Sequence, residues 1–325
     1  MFTMRLPCIP VRDQSLSLSR IILGGHEYLP DGLSRAFNED MRKAVTPGHI
    51  FPGFGGPARQ ALVERALALG ITTFDVTIDS EKEALARNLA ALGASASVVV
   101  QTRPEGMLYG YDPCNRKLIR PGVLRAEVAR ILELMRRDAI DILNIGILGD
   151  ALSHDPGYLA ALAEVLARLK DEGLIRCAAA DSFSGEPTYL AMIETGAFDT
   201  LNVNFNIGDD GAARAVMPLA REKGVRIVAR EVLMKGGWFR LCAELGIRDR
   251  ALAARIAIKW VAARPEVDAI ILGVDDAAQL EEGIAAALNP RMTAEEEDLL
   301  ARITESEAFV RARRGYREAF IPATN

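Results

Sequence analysis

Residues 158–181 read YLAALAEVLARLKDEGLIRCAAAD, and this stretch carries both halves of a repeating unit. Leu159, Leu162, Val165, Leu166 and Leu169 recur at helical spacing and mark one apolar stripe over 158–172. Gly173 stands where the helix should stop, because glycine takes the left-handed cap conformation without steric cost. Two residues on, Ile175 opens an extended run over 175–181. Helix, glycine, then strand is a short αβ connection. Upstream the pattern repeats: Leu62, Ala66 and Leu69 share a face in 57–69, Gly70 follows, and 71–77 reads ITTFDVT.

Further strands are expected at 20–24, 97–103 and 139–147, and then at 200–206, 225–232 and 267–274. With 71–77 and 175–181 they number eight, each alternating with a helical pattern. That alternation implies a parallel sheet, and eight units close most naturally into a (β/α)8 barrel over one domain, 1–325. The runner-up, a doubly wound open sheet, would want a glycine-rich phosphate loop after its first strand. The residues there, GGHEYLPDGLSRAF (24–37), contain no G-x-G-x-x-G. Two segments lie outside the repeat. Residues 1–19 suit a hairpin across the barrel's N-terminal mouth. Residues 293–320 form an extra C-terminal helical pattern opened by Thr293 and Glu296 in capping-box spacing. Long loops at 26–56 and 104–121 should cover the pocket, since barrel sites lie where the strands end.

Composition narrows the partners. Half of the 325 residues are hydrophobic and 26% are charged, enough for a core and a soluble surface. A net charge of −5 offers no basic field for nucleic acid. No run reaches membrane-spanning length, and the N-terminus MFTMRLPCIPVRD lacks a signal-peptide core. Cys8, Cys114, Cys177 and Cys242 share no metal or redox spacing and are read as reduced thiols of a cytoplasmic protein. The expected partner is a small molecule; the oligomeric state is not readable.

Six segments, in order, resemble the aldo-keto reductases: PVRDQSLSLSRIILGG (10–25), ALALGITTFDVT (66–77), RRDAIDILNIG (136–146), ALAEVLARLKDEGLIRCAAADSF (161–183), AVMPLAREKGVRIVAREVLMKGG (215–237) and VDAIILGVDDAAQLEEGIAA (267–286). The resemblance implies a barrel that reduces carbonyls with NADPH through Asp, Tyr, Lys and His, the Tyr acting as the acid. On this chain the Asp position is Asp75. The Tyr position falls at Ser80 or in a deletion around Asp79, the Lys position is Arg103, and the His position is Gly146. Serine is too weak an acid to replace a tuned phenol, and Arg103 cannot be deprotonated at ordinary pH. Asp275 and Asp276 stand where the family supplies groups to the adenosine phosphate, and Gly283 matches a common Asn. Asp181-Ser182 match the carboxamide contact, and Phe205 matches the stacking Tyr. The implied outcome is that no cofactor is favoured, NADH is possible and NADPH is disfavoured.

Several residues are singled out for a site. Asp75 and Arg103 should point into the barrel, as a salt bridge or as a carboxylate beside an anion clamp. Asn202, Asn204 and Asn206 alternate along one strand and share a face, as a polar substrate wall or a buried hydrogen-bond network, and Asp181 joins them as a substrate-binding candidate; Phe205 and Val203 take the opposite phase unless a local bulge shifts it. Glu231 and Lys235, after the seventh barrel strand, suit acid and base roles if burial shifts them, or form a solvated pair. His26 and Tyr28 follow the first barrel strand directly. Tyr109 and Tyr111 could fold back from the loop after the third. His49 and His154 carry no specific signal, and no cluster has metal spacing. These residues suggest non-redox acid–base chemistry, as in a lyase, dehydratase or isomerase, on a small polar or anionic metabolite. The alternatives are an NAD(P)H-dependent oxidoreductase with relocated catalytic residues, such as His26 or Tyr28, and a non-catalytic ligand-binding barrel.

Overall fold

The structure is a computed structural model that describes residues 6–11, 16–29, 32–104, 112 and 114–318. Its strands are β1 (Cys8–Val11), β2 (Leu16–Ser19), β3 (Ile21–Gly24), β4 (Thr73–Val76) and β5 (Val99–Thr102), then β6 (Ile140–Ile147), β7 (Ile175–Ser182), β8 (Thr200–Asn204), β9 (Arg226–Arg230) and β10 (Ala269–Leu272). Strands β3 to β10 close into a parallel barrel in sequence order, with β10 pairing both β3 and β9. The (β/α)8 architecture is therefore as the sequence pattern predicts. The helices Tyr158–Asp171 and Pro57–Ala68 bury the stripes that announced them, and Gly173 and Gly70 both have positive φ.

Alternation along each strand sorts side chains into two layers. Leu23, Phe74, Val100, Leu143, Ala178, Leu201, Ile227 and Ile270 face the surrounding helices in the main core. Ile22, Ile142, Cys177, Ala179, Val228 and Ala269 face inward, where Val11, Leu16 and Leu18 of the β1–β2 hairpin pack against them. The hairpin thus plugs the barrel at the N-terminal ends of its strands. Toward the other end the same inward phase passes through Asp75, Gln101, Asn144, Asp181, Asn202 and Arg230. The lower lumen is apolar and the upper lumen is polar.

Strand 200–206 is shorter than expected, ending at Asn204. Asn206 leaves the sheet because its Oδ1 accepts the Gly208 and Asp209 amides (both 2.9 Å), folding a turn in place of another ladder rung. After β10 and its helix, Thr293 and Glu296 cap the helix Ala294–Thr304 reciprocally. Glu296 also binds Arg255 (2.6 Å) and Lys259 (2.7 Å) of the helix Arg250–Ala262. The last helix, Glu307–Glu318, lays Phe309 and Tyr316 into a second core built around Trp238, Leu241 and Met234.

Candidate active site

The site is built where the strands end. Gly25, directly after β3, donates its amide to the Asp75 carbonyl at 2.7 Å. A Cβ there would lie 2.8 Å from Val76 Cγ1 and 3.0 Å from that carbonyl, so only glycine allows the approach. The next residue, His26, is thereby delivered beside β4. Its Nδ1 lies 2.6 Å from Glu81 Oε1, while Glu81 Oε2 accepts the Thr77 (2.8 Å) and Ile78 (3.3 Å) amides at the start of the helix Asp79–Ala91. Glu81 is 1% exposed and the His26 side chain 32%, so the carboxylate is fixed and the imidazole keeps an open edge.

Electrostatics follow from this packing. For His26, burial pulls the pKa down, but the Glu81 charge and hydrogen bond, with Asp75 behind them, leave it above the ordinary value. Glu81 is pushed up by burial, then carried below its usual range by His26 and the two backbone amides. Burial dominates at Asp75 and raises it, against the opposing Arg103, the Gln101 amide (2.7 Å) and His26. The mouth thus holds an imidazole that keeps its proton to higher pH than usual, against the Glu81 carboxylate, and a second carboxyl, Asp75, whose pKa burial also raises.

Across the lumen, Asp181 on β7 binds Arg230 on β9 at 2.6 Å and Arg103, beyond β5, at 3.3 Å. These three come from alternate strands, as the side chains of one barrel layer do. The Arg230 guanidinium lies 4.0 Å from the Phe183 ring centre. Glu231 follows, 3.4 Å from Arg230 and 3.5 Å from Lys235, whose side chain is 55% exposed. Between these groups lie buried amide atoms with no hydrogen-bond partner among the described residues: both polar atoms of Asn202, Asn144 Oδ1, Gln101 Oε1 and Asn204 Oδ1.

Asp75, His26, Arg103, Asp181, Asn202, Asn204, Glu231 and Lys235 all lie at this mouth or in its lumen. Tyr28 reaches the rim and packs on the backbone of Gly273, where its phenol fills the space a Cβ would need. Burial raises that phenol far above its ordinary pKa, which leaves it a poor acid. Two expectations need correction. Phe205 does not face the mouth: it is 1% exposed in the helix-facing core, 5.3 Å from the Trp260 ring, and cannot stack on a nucleotide. Asn206 is not part of the asparagine wall, because its side chain folds the turn and binds the Glu231 carbonyl and Tyr316 (both 3.0 Å).

Asp79 and Ser80, at the Tyr position, are buried in local structure. Asp79 binds Lys82 at 2.9 Å and also Arg130, and the Ser80 hydroxyl accepts the Phe51 amide. His49 packs edge-on to Phe51, and His154 is exposed. Tyr109 and Tyr111 lie outside the described residues. Among the described residues no group of three His, Cys, Asp or Glu side chains could hold a metal, and no helix is long and apolar enough to cross a membrane.

Sequence reasoning missed Glu81, Gln101, Asn144, Phe183, Arg230 and Tyr316. Gln101 carried a signal, because it shares strand phase with Arg103, which was already expected to point inward; Arg230 had no such anchor on its own strand. Tyr316 carried none, since tertiary packing alone brings it to the mouth.

A closed parallel barrel with acid–base groups gathered at the strand ends is the architecture of a barrel enzyme. The chain belongs to the aldo/keto reductase family, whose profile matches residues 56–244. It is 23% identical over 291 residues to L-galactose dehydrogenase of Arabidopsis thaliana, covering 79% of this chain and 86% of that protein. Among solved structures it is similar to the holo form of aldo-keto reductase AKR11C1 from Bacillus halodurans: TM-score 0.66, 17% identity, covering 92% of this chain and 96% of that one. A putative aldo-keto reductase from Pseudomonas aeruginosa aligns with TM-score 0.60 and 20% identity, over 89% of this chain and 98% of that one.

Membership overturns the non-redox reading: a lyase, dehydratase or isomerase is not what the family match and the dehydrogenase relative support. The cofactor expectation falls with it, both that no cofactor is favoured and that NADPH is disfavoured. The acidic loop that suggested it has a local purpose: Asp276 caps the helix Ala277–Leu288 by accepting the Gln279 amide at 2.9 Å.

Proposed function

We propose that this chain is a nicotinamide-dependent oxidoreductase interconverting a hydroxyl and a carbonyl on a small polar metabolite, with His26 handling the proton. The observation carrying this reading is the His26–Glu81 pair beside Asp75, at the mouth of a family barrel whose Tyr position holds only Asp79 and Ser80. A nicotinamide ring carries a carboxamide that both donates and accepts hydrogen bonds. The buried, unpartnered Nδ2 and Oδ1 of Asn202, with Asn144 Oδ1 close in the same lumen, fit such a group, because orphaned amides in a dry interior are costly until paired.

Bound there, the nucleotide would supply the hydride in one direction and take it up in the other. The protein's own residues manage the proton and the charge. With Nδ1 held by Glu81, His26 exchanges its proton at Nε2. In oxidation the neutral imidazole accepts the hydroxyl proton, and Glu81 stabilises the resulting imidazolium. In reduction the imidazolium returns the proton to the carbonyl oxygen. Arg103, fixed by Asp181, offers a permanent positive charge for developing negative charge on that oxygen. The remaining lumen amides at Gln101 and Asn204 favour a substrate rich in hydroxyls.

The test is nucleotide-coupled turnover with NADH and NADPH against small carbonyls, and with the oxidised nucleotides against L-galactose and related polyols. His26→Gln should lower kcat by about a hundredfold or more, the scale of general acid–base catalysis, while nucleotide affinity stays the same. Undiminished turnover in that variant would remove His26 from the mechanism.

A further inference from the structure

Three non-glycine residues within one short loop, Glu231 (φ +58°), Met234 (+53°) and Lys235 (+52°), take left-handed backbone conformations. Each is disfavoured by about 1 kcal/mol or more, so such a turn persists only when its surroundings hold it. The restraints can be traced. The Glu231 carbonyl accepts the Met234 amide (2.8 Å) and Asn206 Nδ2 (3.0 Å). The Tyr316 hydroxyl donates to Glu231 Oε2 at 2.7 Å while accepting from Asn206 Nδ2 at 3.0 Å. Tyr316 lies on the last helix, where Arg313 and Arg317 bind Asp210 (2.9 and 3.1 Å) in the loop after β8. The carboxylate held by Tyr316 sits 3.4 Å from Arg230, and Arg230 binds Asp181 at 2.6 Å in the lumen. One chain of contacts runs from the C-terminal helix, more than 80 residues away in sequence, to the charged layer of the site.

We infer that Tyr316 is a positioning residue for the barrel mouth: its hydroxyl holds Glu231, and through it the Arg230 guanidinium, in the arrangement that receives substrate. Its phenol is no acid here, since burial and the Glu231 charge drive its pKa up. The kinetic half of the inference rests on the oxidoreductase reading, and the conformational half does not.

Tyr316→Phe in the full chain deletes only the hydroxyl. Hydrogen–deuterium exchange should then accelerate by about tenfold in 231–235, the scale set by losing one hydrogen bond to a charged partner, with the barrel strands unchanged. In the coupled assay KM for the substrate should rise by about tenfold while kcat stays within about twofold, since positioning is lost and chemistry kept. Arg313→Ala combined with Arg317→Ala, which unfastens the helix from Asp210, should loosen 231–235 in the same way. Faster exchange confined to 307–318 with KM unchanged would show Tyr316 to be only a packing residue and would overturn the inference. So would wild-type exchange at 231–235 in Tyr316→Phe. If the wild-type chain turns over nothing with either nucleotide, the oxidoreductase reading fails, and exchange alone still decides the role of Tyr316.

Discussion

At the scale of single residues, the pairing of His26 with Glu81 makes stability depend on pH in a definite way. Folding raises the His26 pKa, so its contribution is complete below the unfolded imidazole value of about 6.5 and is lost as pH rises through the higher folded value. Folding lowers the Glu81 pKa, so its contribution is complete above the unfolded value of about 4.3 and is lost as pH falls through the lower folded value. The pair therefore stabilises most between these limits. The Tm difference between wild type and His26→Gln should peak at about pH 5–6 and shrink on either side. A difference that does not vary with pH would mean that the two groups are not ion-paired. Asp75 and Arg103 could be placed from the sequence because the first lies on a barrel strand and the second just beyond one, both in the inward phase. Glu81 could not, because a carboxylate in a first helical turn reads as an ordinary cap until His26 is found opposite it.

Among the elements, the barrel strands and their helices were legible because each carried its own period and its own glycine stop. The failures came where a side chain overrode the period. Asn206 kept strict alternation with Asn202 and Asn204, yet its Oδ1 captured two backbone amides and ended the strand. Phe205 was assigned to the mouth by resemblance although its phase opposed the asparagines, and the phase proved the better guide. The C-terminal pair of helices is joined to the barrel through Glu296. Burial opposes its charge, but hydrogen bonds to Lys259, Arg255 and the Thr293 amide carry its pKa down to about 2. Glu296→Ala should cost about 3 kcal/mol or more, because it strands the largely buried Lys259 ammonium. Thr293→Ala removes one cap and should cost about 1 kcal/mol. Chemical denaturation checks the order; equal losses would mean that Glu296 acts only as a cap.

For the whole molecule, the lower lumen is closed by the hairpin and the upper lumen is left polar, so the charged and amide side chains gather at one end. The fold and that polarity could be read from pattern. The reaction class could not: the departures at Ser80, Arg103 and Gly146 looked like loss of hydride chemistry, a reading the family match overturned, and the His26–Glu81 pair forms only where the loop after β3 meets the first turn of the helix Asp79–Ala91. Proton transfer by that pair is most directly tested by the pH dependence of kcat/KM in both directions for wild type and Glu81→Gln. Oxidation should rise with pH through the raised His26 pKa and reduction should fall through it. Loss of the Glu81 charge should move both limbs to lower pH. Limbs that stay in place in Glu81→Gln, or that persist in His26→Gln, would contradict the assignment.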